Sequence, residues 1–283
     1  MPHLRPATRV LAALAAAAAL TLSGCGSDDG GSSSATSDGE LATLTPGKLT
    51  IATGDPAYSP WVEDDKPESG KGFEAAVAYA VADELGFDKA DVTWVRTTFD
   101  AAIAPGPKDF DFNLQQFSIT DERKKGVDFS SPYYTTVPAL VSVEGSKGAD
   151  ATDLAGVKDS LIGVATGTTT LKAVEDLVKP SQKVKIFNSN EDAVQALKSK
   201  QIDVLAVDLP TAFYLAAAEL DNGKVIGQLD TSEGGDQFGL VLPKGSDLTA
   251  AVTKAVDTLR ENGTLDELAQ EWLADKVDAP VLK

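Results

Sequence analysis

From Lys48 onward, short apolar runs alternate with stretches in which apolar residues recur every three to four positions. The short runs, at 48–53, 92–95, 110–114, 137–143, 161–165, 184–187 and 202–207, predict strands. Between them, Phe73, Val77, Val81 and Leu85 place one apolar face on a helix that Gly86 stops. A helix opening near Ala101 is cut by Pro105-Gly106-Pro107. Leu171, Val174 and Leu177 mark another, and Asn190 is placed to cap that of Ala193, Val194 and Leu197. Leu209-Pro210-Thr211 starts a further helix, and Leu248, Val252, Val256 and Leu259 line one that ends at Gly263. Thr264 and Glu267 have capping-box spacing for the helix of Leu265, Leu268 and Trp272. The stretch 127–134, with Ser130-Ser131-Pro132 at its centre, reads as a loop.

This alternation predicts an α/β chain with mostly parallel sheets. Ligands of such sheets bind beyond the carboxyl ends of the strands. Polar residues stand at four such ends: Asp55 and Tyr58, Ser118 and Arg123, Thr168 and Thr169, and Asp208. Four ends offering polar groups point to one cleft. In the run Ser118-Ile119-Thr120-Asp121-Glu122-Arg123, Thr120 is a suitable N-cap, which sets Arg123 on the first turn of a short helix. A guanidinium beside free backbone N–H groups suits a carboxylate. The alternative is that Arg123 pairs with Asp121 or Glu122 on a solvated face.

The N-terminus changes the picture of where the chain works. Arg5 and Arg9 precede an Ala/Leu-rich run at 10–22, too short for a comfortable membrane span and suited to a signal-peptide core. Leu22-Ser23-Gly24-Cys25 follows and resembles the lipobox of bacterial lipoproteins, in which the cysteine, here the only one, is lipid-modified. Residues 1–24 are expected to be a signal peptide and 25–46, rich in Gly, Ser and Asp, a flexible tether.

Charge then excludes partners. Removing residues 1–24 takes away two arginines and moves the formal charge from −18 to −20, which argues against nucleic acid. It also removes His3, the only histidine. No Ser-His-Asp or Cys-His arrangement and no His/Cys zinc site can be built from what remains. No phosphate-binding Gly-x-x-x-x-Gly-Lys-Ser/Thr loop occurs, and no cofactor is expected. About 235 residues remain for the folded part, enough for two small lobes.

The ordered set of motifs resembles the extracellular solute-binding proteins of bacterial ABC importers, specifically the polar amino-acid family (family 3). Gly54-Asp55-Pro56-Ala57-Tyr58-Ser59-Pro60-Trp61 looks like its opening aromatic loop, and Gly72-Phe73-Glu74 like the start of its first helix. Phe99-Asp100 precedes the second helix, and Ser118 to Arg123 with the following Val127 to Tyr134 is the most specific match. Thr166-Gly167-Thr168-Thr169, Ile202-Asp203 to Val207-Asp208, and Asp236-Gln237-Phe238-Gly239-Leu240 complete the order.

The resemblance implies a two-lobed periplasmic-binding-protein type II fold with two hinge crossovers. Lobe 1 would comprise 47–135 and 237–283, and lobe 2 residues 136–236. It further implies a monomer, not an enzyme, held outside the cell membrane through Cys25. Such a protein captures a polar amino acid and hands it to permease and ATPase subunits. By position, Arg123 would bind the ligand carboxylate, aided by N–H groups near Ser118 and Thr169. Asp208, with the Ser118 oxygen nearby, would receive the ammonium. Tyr58 and Phe99 would sandwich the side chain. Asp208 could instead cap the helix at Leu209, Ser118 could satisfy local backbone, and Tyr58 and Phe99 could be core aromatics.

Gln115 and Gln116 depart from the small residues usual in the family, narrow the cleft and add amide groups; Trp61 and Glu74 replace a commoner Phe and Asp. Asp55 could meet a cationic side chain, and glutamine-like or basic ligands stand ahead of acidic ones. A sensor for a membrane kinase and a dehydratase on the same scaffold are the alternatives.

Overall fold

The computed structural model describes residues 41–231, 234–273 and 279–283. The signal peptide, Cys25 and most of the expected tether lie outside the described residues. Among the described residues, no helix is long and apolar enough to cross a membrane.

The first sheet has the order β2-β1-β3-β10-β4. Its centre, β1 (Leu49–Gly54), is buried along its whole length. It pairs in parallel with β2 (Val92–Thr97) and β3 (Phe112–Asn113). β10 (Asp236–Pro243) runs antiparallel to β3 and to β4 (Val127–Thr136). Helices α1 (Phe73–Glu84), α7 (Thr249–Glu261) and α8 (Thr264–Trp272) supply its main core, with α1 contributing Phe73, Val77 and Val81 and α7 contributing Val252, Val256 and Leu259. The short α2 (Phe99–Ile103) packs Ala102 into a smaller cluster. Gly72 at the start of α1 has φ +98°, and a Cβ there would lie 2.6 Å from the Trp61 carbonyl oxygen, so only glycine fits this entry.

The second sheet has the order β11-β9-β5-β8-β6-β7. Its strands are β5 (Pro138–Val143), β6 (Ile162–Ala165), β7 (Lys185–Phe187), β8 (Val204–Asp208), β9 (Gly223–Leu229) and β11 (Val281–Leu282). Residues along β5 and β8 alternate between two cores, Ala139, Val141, Leu205 and Val207 facing one and Leu140, Val204 and Ala206 the other. Helices thus cover both faces. α5 (Asn190–Lys198) and α6 (Leu209–Tyr214) lie on the first face, while α3 (Leu154–Val157) and α4 (Thr169–Ala173), the latter continued by a π-turn through Val174–Val178, lie on the second.

Several expectations are corrected. The expected loop at 127–134 is most of the ten-residue β4. Ser-Ser-Pro reads as a loop, but Pro132 sits opposite Gly239 at an irregularity in the β4–β10 register, where its missing N–H is tolerated. The sheets are mixed, because the strands that carry the chain between lobes run against their neighbours. Ser189, one residue before Asn190, caps α5 by accepting from the Asp192 N–H at 3.1 Å. The Thr264–Glu267 capping box does not form: Gly263, at φ +87°, occupies the cap, and the Thr264 N–H goes to Asn262 Oδ1.

Two boundaries also move. Contacts with lobe 1 are made already before 47, since Leu41 packs on the lobe 1 core and the Leu44 N–H donates to Asp111 Oδ1 at 2.8 Å. The chain end belongs to the second sheet, where β11 pairs in parallel with β9. The two expected crossovers are present, from β4 into β5 and from β9 into β10, and they meet where Asp236 pairs with Thr136.

Candidate functional site

All nine sequence-selected cleft residues line one cavity between the lobes: Asp55, Tyr58, Phe99, Gln116, Ser118 and Arg123 from lobe 1, with Thr168, Thr169 and Asp208 from lobe 2. The cavity measures about 110 Å³, several times what a single water needs and suited to a small organic molecule.

Arg123 opens a 3₁₀ turn (Arg123–Lys125) rather than an α-helix, and its N–H is capped by Thr120 Oγ1 at 3.2 Å. The local alternative fails, because Asp121 pairs with Lys124 instead while the Arg123 side chain turns inward. Its Nη1 donates to the Ser118 carbonyl at 2.7 Å and its Nη2 to the Gly167 carbonyl of lobe 2 at 2.9 Å. A guanidinium has five N–H donors, so three remain for a ligand. Its carbon lies 5.3 Å from the Phe99 ring centroid, and Phe99 stacks in turn on Phe117 at 4.7 Å. Desolvation lowers the Arg123 pKa, while Asp236, Asp208 and Asp100 oppose that shift.

Asp208 ends β8 and occupies the cap position of α6, yet its side chain makes no capping bond. Its carboxylate is therefore free of the structural duty its position suggests. Burial raises its pKa to about 8, with repulsion from Asp236 and Glu74 adding and Arg123 subtracting.

Glu74, 1 % exposed, stands behind Gln116. It accepts from the Gln116 backbone N–H at 2.7 Å, from the Gln116 side-chain amide and from the Tyr133 hydroxyl. Gln116 has φ +51°, an uncommon conformation for a side-chain-bearing residue, and its backbone N–H and side-chain amide both donate to Glu74. Glu74 thus holds Gln116 in place in the cavity wall. Burial raises the Glu74 pKa to about 7 in spite of these donors.

Thr168 is occupied locally, donating to the Ala165 carbonyl at 2.9 Å and capping α4. Tyr58 reaches across the cleft, its hydroxyl accepting from the Glu191 N–H at 3.4 Å. Asp55 stays exposed at the rim. Gln115, also lining the cavity, leaves its buried Oε1 without a hydrogen-bond partner.

Trp61 makes another bridge. Its Nε1–H donates to Thr211 Oγ1 on α6 at 2.9 Å, a bond that phenylalanine lacks. Trp61→Phe is expected to cost about 1 kcal/mol, the net value of one such bond, read as a lower urea midpoint with unchanged slope.

The residue missed from sequence is Asp236, which only marked the return to lobe 1. It does not line the cavity but accepts from Thr169 Oγ1 at 2.5 Å and Ser118 Oγ at 3.3 Å. Among the described residues, no group of three or more His, Cys, Asp or Glu side chains is placed to hold a metal ion.

Two α/β lobes, hinged by paired crossovers around a cavity with a cationic and an acidic wall, define a ligand-trapping protein of the type II two-lobed class. Residues 49–275 match the model of the bacterial extracellular solute-binding proteins, family 3, and the chain belongs to that family. It is 30% identical over 225 residues to the L-arginine-binding protein of Pseudomonas aeruginosa, covering 77% of this chain and 85% of that one. It is 31% identical over 211 residues to the L-cystine-binding protein TcyJ of Escherichia coli K12, covering 73% and 75%. An ancestral arginine-binding protein solved with glutamine superposes with a TM-score of 0.67 at 30% identity, covering 81% of this chain and 98% of that one. These relatives are binding proteins rather than enzymes.

Proposed function

We propose that this chain is the membrane-anchored substrate-binding protein of an amino-acid ABC importer, closing on a polar amino acid and delivering it to a permease. The observation that carries this reading is the placement of Arg123 and Asp208 on opposite lobes of one cavity, the first with three N–H groups to spare and the second capping nothing. A zwitterion buried there needs both its charges answered, since an unpaired buried charge is very costly. Both are answered only when the lobes meet, so the ligand favours the closed arrangement.

At the side-chain end, the unpartnered Gln115 Oε1 is an acceptor awaiting a donor, and Asp55 adds negative charge at the rim. Both favour a side chain ending in N–H, as in glutamine or a basic amino acid, over a carboxylate. The relatives named for arginine point the same way.

A thermal-shift screen over the twenty amino acids tests the reading. Ligand at 1,000 times its dissociation constant should stabilise the protein by about 4 kcal/mol, and no shift with any of them would sink it. Anchoring through Cys25 is tested separately: Cys25→Ser should move the protein from the membrane fraction to the medium.

A further inference from the structure

A second cavity lies beside the first, and the amino-acid reading makes no use of it. It measures about 260 Å³, against about 110 Å³ for the first, and shares Tyr58, Gln116 and Asn190 with it. Both lobes line it, Ala57, Tyr58 and Trp61 coming from lobe 1 and Val194, Tyr214 and Leu215 from lobe 2. Neither Arg123 nor Asp208 takes part.

Its chemistry is graded from floor to rim. Ala57, Trp61, Val194 and Leu215 are buried and give an apolar floor. The Trp61 N–H is already spent on Thr211 Oγ1, so the indole offers the cavity apolar surface. Four exposed acids, Asp64, Asp65, Glu191 and Glu219, stand at the rim, and no lysine or arginine lines the cavity. Two of the four are neutralised from outside, Asp65 by Arg96 and Glu219 by Lys198. Among the described residues, Asp64 and Glu191 have no cationic partner; the Glu191 side chain accepts from the neutral Gln195 amide at 2.7 Å.

A hydrocarbon body laid on this floor leaves water, which is favourable in proportion to its area. A positive end at the rim then meets two unneutralised carboxylates and the faces of Tyr58 and Tyr214. An anion is repelled there. A bare metal ion does not fit either, since no group of three or more acidic, His or Cys side chains is placed to hold one among the described residues.

We propose that the second cavity binds a small amphipathic organic cation, an alkyl- or arylalkyl-ammonium, while the first cavity holds its own ligand. Because both lobes line both cavities, each occupant favours the closed arrangement. The two are therefore coupled, and each tightens the binding of the other by the same factor. This site goes beyond the amino-acid reading and does not depend on it.

Titration calorimetry tests this with 2-phenylethylammonium, using 2-phenylethanol and phenylacetate as neutral and anionic matches of its shape. The cation should bind one-to-one to the wild type, both alone and in the presence of the amino acid that gives the largest thermal shift. It should bind about five-fold or more tightly than either match, as expected for two exposed charge contacts. Asp64→Asn combined with Glu191→Gln should erase that advantage and leave the amino-acid affinity unchanged. Competition between cation and amino acid would put the cation in the first cavity and overturn the proposal. No binding of the cation, equal binding of the alcohol, or a double variant that binds the cation as the wild type does would overturn it as well. A wild type that binds the cation but no amino acid would overturn the functional reading alone.

Discussion

Arg123→Ala is expected to weaken amino-acid binding by more than a hundred-fold. Two losses combine in this one change. The ligand carboxylate would be left in a buried site without its cation, which costs about 3 kcal/mol or more. The bond from Nη2 to the Gly167 carbonyl, one of the direct links between lobes, would go as well. Gly167, at φ +71°, presents that carbonyl from a turn in which an added Cβ would lie 2.5 Å from Asp100 Oδ1.

Arg123→Lys separates these effects. A lysine keeps the charge but has a single point of donation, so it cannot serve Ser118, Gly167 and a carboxylate in the planar fork that arginine offers. It should recover only a small part of the lost affinity. Titration calorimetry of the three proteins checks this. A dissociation constant for Arg123→Ala within three-fold of wild type would remove the carboxylate role.

Much of this site was legible in the sequence because its residues sit where local chemistry is informative. Arg123 follows an N-cap signal, Asp208 ends an apolar strand before Leu-Pro, and Thr169 follows a Gly-Thr turn. Each lies at a strand end, and strand ends on one side of an α/β sheet converge. Thr168 and Gln116 line the cavity too, but the Thr168 hydroxyl is used as a cap and two of the Gln116 donors turn back to Glu74. Whether a polar group faces a cleft or its own backbone depends on contacts distant in sequence.

Asp236 was hidden for a related reason. Its partners are 118 and 67 residues away, it follows two glycines, and it looks like any turn aspartate before a strand. β4 was missed because its propensity is poor around Ser130-Ser131-Pro132. The long antiparallel ladder with β10, which local pattern does not show, overrides it.

The second large effect concerns pH. In the unliganded protein, Asp208 has its pKa raised from 3.8 to about 8 and Glu74 from 4.5 to about 7, both first by burial. The folded state therefore holds protons that the unfolded chain has released over this range. Their stabilisation is complete below about pH 4 and is lost as pH rises through 7 to 8. Asp128 and Asp257 have lowered pKa values and act oppositely, but their window lies below pH 4. The melting temperature of ligand-free protein should thus fall steadily from pH 5 to 8, and Asp208→Asn should flatten part of that fall.

Ligand reverses the demand. An α-ammonium beside Asp208 stabilises the ionised carboxylate, so binding near neutral pH must expel a proton. Affinity should rise with pH, by up to about ten-fold per unit below pH 8, and level off above it. Calorimetry at pH 7 in buffers of different ionisation enthalpy should report a substantial fraction of a proton released, and Asp208→Asn should abolish most of it. Glu74→Gln separates the two acids: it should leave most of the proton release intact, because Glu74 faces Gln116 and Tyr133 rather than the ammonium. Binding with no pH dependence between 6 and 8 would mean that Asp208 does not meet the ligand's positive charge.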